Sequence, residues 1–210
     1  MRTYYIAGGA LFGALAVLIR FLGIKFPFPP IPYLVFEIAE IPILTGFLLY
    51  GPTVGIIAAF SYWGILNVVG EFVPIGPAMA FAASTSTIVG IWIGIQVFRR
   101  FTKNRIALLS SSVFIGMVLR AIVMTVFNII ILLLIMPFFF EFAANAVASF
   151  FGISFATQID ALMVIIVLTA LFNIIQVIII AIPSIALVNA VNGRVMMGRL
   201  TIPWLIKMLE

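Results

Sequence analysis

Of 210 residues, 65% are hydrophobic and only 8% are charged, with a mean hydropathy of +1.37 and a net charge of +5. A water-soluble domain would expose far more charge. The absence of cysteine and histidine excludes disulfides, thiolate nucleophiles, histidine-based triads and histidine-ligated metals.

Uncharged runs at Ile41–Gly70, Phe72–Phe98, Ala121–Phe140 and Ala161–Gly193 approach or exceed the ~20 apolar residues that cross a bilayer. Their continuity, without period-2 alternation, selects helices over a barrel. The chain therefore reads as an all-α integral membrane protein.

The first segment runs from Tyr4 to Leu22. Its Ala7-Gly8-Gly9-Ala10 comes too early for a cleavage site after an apolar leader, so the segment is a membrane helix. Small residues recur as Gly9/Gly13 and Ala10/Ala14, a flat strip that lets another helix approach closely, within this chain or on a separate membrane subunit. The loop Gly23–Tyr33 carries Pro27, Pro29, Pro30 and Pro32 with Phe26, Phe28 and Tyr33. Prolines make it extended and stiff, suited to a lid over a pocket or to an aromatic belt at the interface.

The second helix is expected to begin at Phe36, with Glu37 and Glu40 capping its N-terminus. Gly51-Pro52 then divides the long run into helices over Phe36–Tyr50 and Pro52–Val69. Trp63, Asn67 and Trp92 are polar-aromatic residues within spans. A fourth helix covers Ala78–Phe98 and a fifth Ile106–Met136, in which Arg120, Met124 and Asn128 share one face. Arg120 either snorkels to the cytoplasm or pairs inside the bundle, and its position near a helix end favours snorkelling. The last helix, Gln158–Val191, presents Asn173 and Gln176 on one face. Amides in hydrocarbon need partners, either on other helices or on a flat heterocycle with ring nitrogens and carbonyls.

Basic residues mark the cytoplasmic side. Arg2, the group Arg99, Arg100, Lys103 and Arg105, and the group Arg194, Arg199 and Lys207 form three clusters. Placing all three inside requires even numbers of spans between them. The result is a six-transmembrane-helix bundle with both termini cytoplasmic, a single membrane domain over residues 1–210, multi-pass in the plasma membrane. Glu37, Glu40, Glu71, Glu141 and Asp160 then fall at outer ends, where Arg20 and Lys25 are snorkelling exceptions. The net charge reflects orientation and anionic lipid, not nucleic acid. Asp160 is the single aspartate, so an aspartyl protease pair is excluded; no metal site and no enzyme is expected. No internal repeat and no nucleotide-binding domain is visible, so active transport would draw on an ion gradient or on a partner.

Several segments in order resemble one family. They are Phe26-Pro27-Phe28-Pro29 with Tyr33-Leu34, Phe36-Glu37-Ile38-Ala39-Glu40-Ile41-Pro42, Leu49-Tyr50-Gly51-Pro52 with Gly55, Val73-Pro74-Ile75-Gly76, Met124-Thr125 with Asn128 and Pro137, and Phe172-Asn173-Ile174-Ile175-Gln176. The set is similar to the S components of energy-coupling factor (ECF) vitamin transporters, most of all the riboflavin-specific type. The resemblance implies a pocket open to the outside under the first outer loop, with ATP hydrolysed by a separate ATPase pair. It also implies that Ala10 and Ala14, with Gly9 and Gly13 beside them, contact a transmembrane coupling subunit.

By position, Asn128 and Asn173 match pocket amides, and Gln176 stands where that type carries lysine. Phe60-Ser61-Tyr62-Trp63 lacks a Lys-Asn pattern, Pro77 and Ala80 replace amides, and Glu37 and Glu40 replace common aspartates. The expected ligand-binding set is Asn128, Asn173, Gln176, Tyr33, Phe36, Glu37, Trp63 and Asn67. Riboflavin or FMN is expected as the transported ligand, with no resident cofactor. The alternatives are pantothenate, folate, a thiamin or queuosine precursor, or a membrane scaffold packed solid without a ligand.

Overall fold

The computed structural model describes residues 2–195 and 203–209. In chain order it contains α1 (Arg2–Phe21), a hairpin of β1 (Lys25–Phe28) and β2 (Ile31–Glu37), α2 (Ile41–Tyr50), α3 (Pro52–Val69), α4 (Ile75–Phe98) and α5 (Arg105–Ile130). A π-helical turn (Ile131–Ile135) extends α5, followed by α6 (Pro137–Phe151), α7 (Gln158–Val195) and α8 (Trp204–Leu209). Among the described residues, five helices, α1, α3, α4, α5 with its π turn, and α7, are long and apolar enough to cross a membrane. Of the basic residues expected at the cytoplasmic face, Arg199 lies outside the described residues, as do the side chains of Arg2 and Arg194.

The break at Gly51 falls where the sequence places it. Gly51 has φ 97°, a left-handed value that suits glycine, and Pro52 opens α3 in the first turn, where a missing N–H costs nothing. The start of α2 is different. Phe36 and Glu37 do not begin a helix; they end strand β2, and α2 starts at Ile41. Pro42 explains the difference. A helix from Phe36 would bury Pro42 in its interior, clashing with a carbonyl one turn back, whereas a helix from Ile41 holds it in the first turn. The wholly helical expectation is corrected to the same extent: the proline-rich loop is extended as expected but forms an antiparallel hairpin, pairing Lys25 with Glu37 and Phe26 with Phe36.

At ten residues α2 is ~15 Å long, about half of the ~30 Å hydrocarbon thickness. Trp204 of α8 packs on Phe47 of α2 at 5.4 Å, beside Gly51. Ser184 of α7 donates to the Ile41 carbonyl at the other end of α2. The sequence reading assigned no element between Met136 and Gln158; the structure places α6 there, opened by Pro137 and closed by Gly152 in the left-handed conformation.

Two apolar clusters hold the molecule together. The larger joins α1, α2, α3, α4, α7 and α8 around Phe47, Tyr62, Ile91 and Ile180. The smaller seats Phe28, Ile31 and Leu34 of the hairpin on Leu132, Val147, Ile165 and Phe172. Glycines set two close helix contacts. A Cβ at Gly13 would lie 2.7 Å from the Ala58 carbonyl oxygen and 2.7 Å from the Ser61 Cβ, and one at Gly9 would collide with Ile57. Gly9 and Gly13 are therefore spent on α3 and are withdrawn from the expected partner surface. Ala10 remains exposed and Ala14 half-buried.

The second seam joins α4 to α5, where a Cβ at Gly94 would lie 2.5 Å from the Ser112 Cα, and one at Gly90 2.7 Å from the Gly116 Cα. Gly94→Leu is expected to lower stability by roughly 1–3 kcal/mol through overpacking, measured by thermal unfolding in detergent, while Ala10→Leu leaves it unchanged.

Candidate ligand-binding cavity

A cavity of about 470 Å³ lies between β2, α4, α5 and α7. Its size falls in the ~300–1,000 Å³ range of small-molecule sites. The hairpin covers part of it with Tyr33, Leu34 and Val35, and the α3–α4 connection adds Phe72. Aromatic and thioether groups in the wall are Met79 from α4, Met124 from α5, Met136, Phe139 from α6 and Phe172 from α7, beside aliphatic Ile75, Ile131 and Leu132.

The row Arg120, Met124, Asn128 on α5 all lines this space, as its i, i+4, i+8 spacing requires. Asn128 donates from Nδ2 to the Met124 carbonyl at 2.7 Å, and its Oδ1 has no hydrogen bond among the described residues. Asn173 also lines the cavity, donating to the Thr169 carbonyl and accepting from Arg120 Nε at 3.1 Å. The two asparagines thus face one hollow. Gln176 reaches it too, with both ends of its amide committed: Nε2 donates to the Glu37 carbonyl at 2.7 Å, and Oε1 accepts from the Glu37 N–H at 3.3 Å. It satisfies the open backbone edge of β2 as an additional strand would.

Arg120 does not snorkel. It is 3% exposed and grips Glu40 through two parallel hydrogen bonds, Nη1 to Oε2 at 2.7 Å and Nη2 to Oε1 at 2.8 Å. Thr87 accepts a further bond from Arg120, and Ser84 donates to Glu40. Glu40 stands at the start of α2 without capping it through its side chain. Planar guanidinium against carboxylate is the strongest geometry available to such a pair. In hydrocarbon each charge needs the other.

Arg20 and Lys25 do not merely snorkel either. Arg20 meets Glu37 at 2.5 Å and donates to the Tyr62 hydroxyl at 3.1 Å. Lys25 meets Glu71 at 3.2 Å across the cavity rim. The first of these pairs ties the hairpin to α1, the second to the α3–α4 connection.

Three members of the expected ligand set stand off the cavity. Phe36 stacks on Phe172 at 4.6 Å, and it is Phe172 that reaches the wall. Trp63 packs on Phe60 and Phe81, and Asn67 donates back to the Trp63 carbonyl. Their helix turns Tyr62 and Leu66 inward instead, so residues one position later point elsewhere. Tyr33 and Glu37 do line the cavity; the buried Tyr33 hydroxyl has no partner among the described residues. Sequence reasoning missed Glu40, Phe139 and the methionines as wall residues. Among the described residues, no group of three potential metal ligands comes together.

A multi-pass helical membrane protein with a roofed, mostly apolar cavity is a membrane-embedded binder of small molecules. The family profile described as "ECF transporter, substrate-specific component" matches residues 5–188, and the chain belongs to that family. It is thus a transport component and not an enzyme. A solved structure, "Structure and mechanism of the S component of a bacterial ECF transporter", shares the fold with a TM-score of 0.60 and 21% identity, over 93% of this chain and 99% of that one. No curated protein sequence gives a significant match.

Arg120→Met is expected to cost about 3–5 kcal/mol, because it strands Glu40 as a buried charge, while Arg120→Met with Glu40→Leu together recovers most of it. Thermal unfolding of the purified variants checks both.

Proposed function

We propose that this chain captures a riboflavin-like vitamin from outside the cell and hands it to partner subunits for ATP-driven uptake. The observation that supports this most is the cavity itself. Its aromatic and methionine walls suit the faces of a planar ring system. Asn128 lines the cavity, and its Oδ1 is still without a protein partner among the described residues. Gln176 and Asn173 act on the ligand indirectly in this reading, Gln176 by holding β2 and Asn173 by orienting Arg120. A scaffold without a ligand would be packed solid beneath the hairpin, and a void of this size speaks against it.

In the same reading β2 and α2 together supply the sixth crossing. Both termini lie in the cytoplasm, and the chain resides in the plasma membrane. A transmembrane coupling subunit docks on α1 at Ala10 and Ala14, the small residues that α3 leaves uncovered, and an ATPase pair supplies the energy.

Purified protein is expected to quench flavin fluorescence and to release heat on titration with riboflavin. Asn128→Leu should then weaken binding by roughly 1–3 kcal/mol through the lost buried hydrogen bond. Colourless protein with no calorimetric response would retire the flavin, and a thermal-shift screen would look for another vitamin, expected to stabilise by about 2.7 kcal/mol at a hundred times its dissociation constant. Bulky replacements of Ala10 and Ala14 should abolish co-purification with the coupling subunit and ATPases while sparing ligand binding. Intact complexes would overturn that docking face.

A further inference from the structure

Six charged side chains line the cavity: Arg20, Lys25 and Arg120 against Glu37, Glu40 and Glu71. They cancel pair by pair, at 2.5 Å for Arg20 and Glu37, 3.2 Å for Lys25 and Glu71, and 2.7 Å for Arg120 and Glu40. Among the described residues, no cation on the wall is left uncommitted. An anionic guest would therefore enter a mostly apolar space with no counter-charge, and a buried charge without a partner is strongly disfavoured.

The three pairs differ in what they control. Lys25 and Glu71 sit at the exposed rim, where solvent screens them and sets their worth low. Arg20 and Glu37 are drawn partly toward α1, with Tyr62 as a third member. Arg120 and Glu40 are enclosed, both below a tenth exposed, and adjoin Asn173 on the cavity wall. Arg120 would be a strong anchor for a carboxylate or phosphate were it free, since its planar fork matches either. Glu40 occupies that fork with two bonds.

We infer that the site selects a guest of zero net charge, and that Glu40 sets this selectivity by occupying the Arg120 fork. The inference rests on the reading of the chain as a vitamin-binding subunit and narrows its substrate class; it does not require the vitamin to be a flavin. Within the flavins it assigns riboflavin and excludes its phosphate ester.

The test uses full-length purified protein and two families of probe. Neutral probes are riboflavin, lumichrome and pyridoxine; anionic probes are FMN, pantothenate, biotin and folate. Binding is read by flavin fluorescence and by thermal shift. Wild-type protein is expected to bind riboflavin and to discriminate against FMN by more than about tenfold. Binding of pyridoxine in place of riboflavin and lumichrome would sink the flavin reading and leave the charge rule standing. Any anionic probe bound within tenfold of the tightest neutral one overturns the charge rule, whatever becomes of the flavin.

Glu40→Gln keeps the side chain's size and frees Arg120 as a cation. It is expected to raise FMN affinity relative to riboflavin by about tenfold. Glu40→Gln with Arg120→Gln should restore the wild-type preference. An unchanged FMN-to-riboflavin ratio in folded Glu40→Gln protein removes Glu40 from the role. The wild-type probe series decides the charge rule without any variant, so a variant that fails to fold does not protect it.

Discussion

Helix α2 cannot begin as early as Phe36, because Pro42 tolerates only a first-turn position. Much of the structure follows from that constraint. Ten helical residues would reach about half-way through hydrocarbon, and the chain before them is extended as β2. Non-helical backbone survives at such depth only where protein satisfies its polar groups or where it lines a cavity. Both conditions are met here. The β1 strand pairs with one edge of β2, the Gln176 amide takes the Glu37 N–H and carbonyl on the other, and part of the strand forms the cavity roof. The strand-to-helix junction also carries Glu40 inward, where it needs a cation, and α5 supplies Arg120.

The cavity lies beside this strand-to-helix junction, between β2, α4, α5 and α7. Its polar inventory is largely consumed in holding that irregular segment: Gln176 on the strand, Asn173 and Thr87 on Arg120, Ser84 on Glu40. What remains for a guest is mostly apolar surface of ring faces, thioethers and aliphatic side chains, with Asn128 Oδ1 as a free polar atom. Elsewhere the bundle closes tightly through glycine seams, Gly9 and Gly13 against α3, Gly90 and Gly94 against α5. The first of these seams uses one side of the α1 small-residue strip and leaves Ala10 on the other. The site and the uncovered α1 face are thus produced by different parts of the fold.

Several elements were legible because a short-range rule determines them. The Gly51-Pro52 break, the long apolar helices and the shared face of Arg120, Met124 and Asn128 depend on spacing and on single-residue backbone preferences, which are local. Trp63 and Asn67 went wrong by one residue, because an apolar helix has little amphipathic signal to reveal which face turns inward. Phe36 and Glu37 went to a strand because the proline six and five positions later outweighed their helical surroundings. Helix α6 was unread because its apolar stretch is too short to announce a span.

By itself the sequence determined that this is a helical membrane protein without the residues for catalysis by cysteine or histidine, where its main breaks fall, and which amides lie in hydrocarbon. Those properties follow from hydropathy, backbone preference and helical period, each of which acts over a few residues. Only the tertiary structure decided that Gln176 holds a strand, that Arg120 is cancelled by Glu40 eighty positions away, and that a hollow separates β2 from α4 and α5. Pairings of that kind depend on which faces meet across the bundle, and a helix that is apolar all round does not record its own orientation.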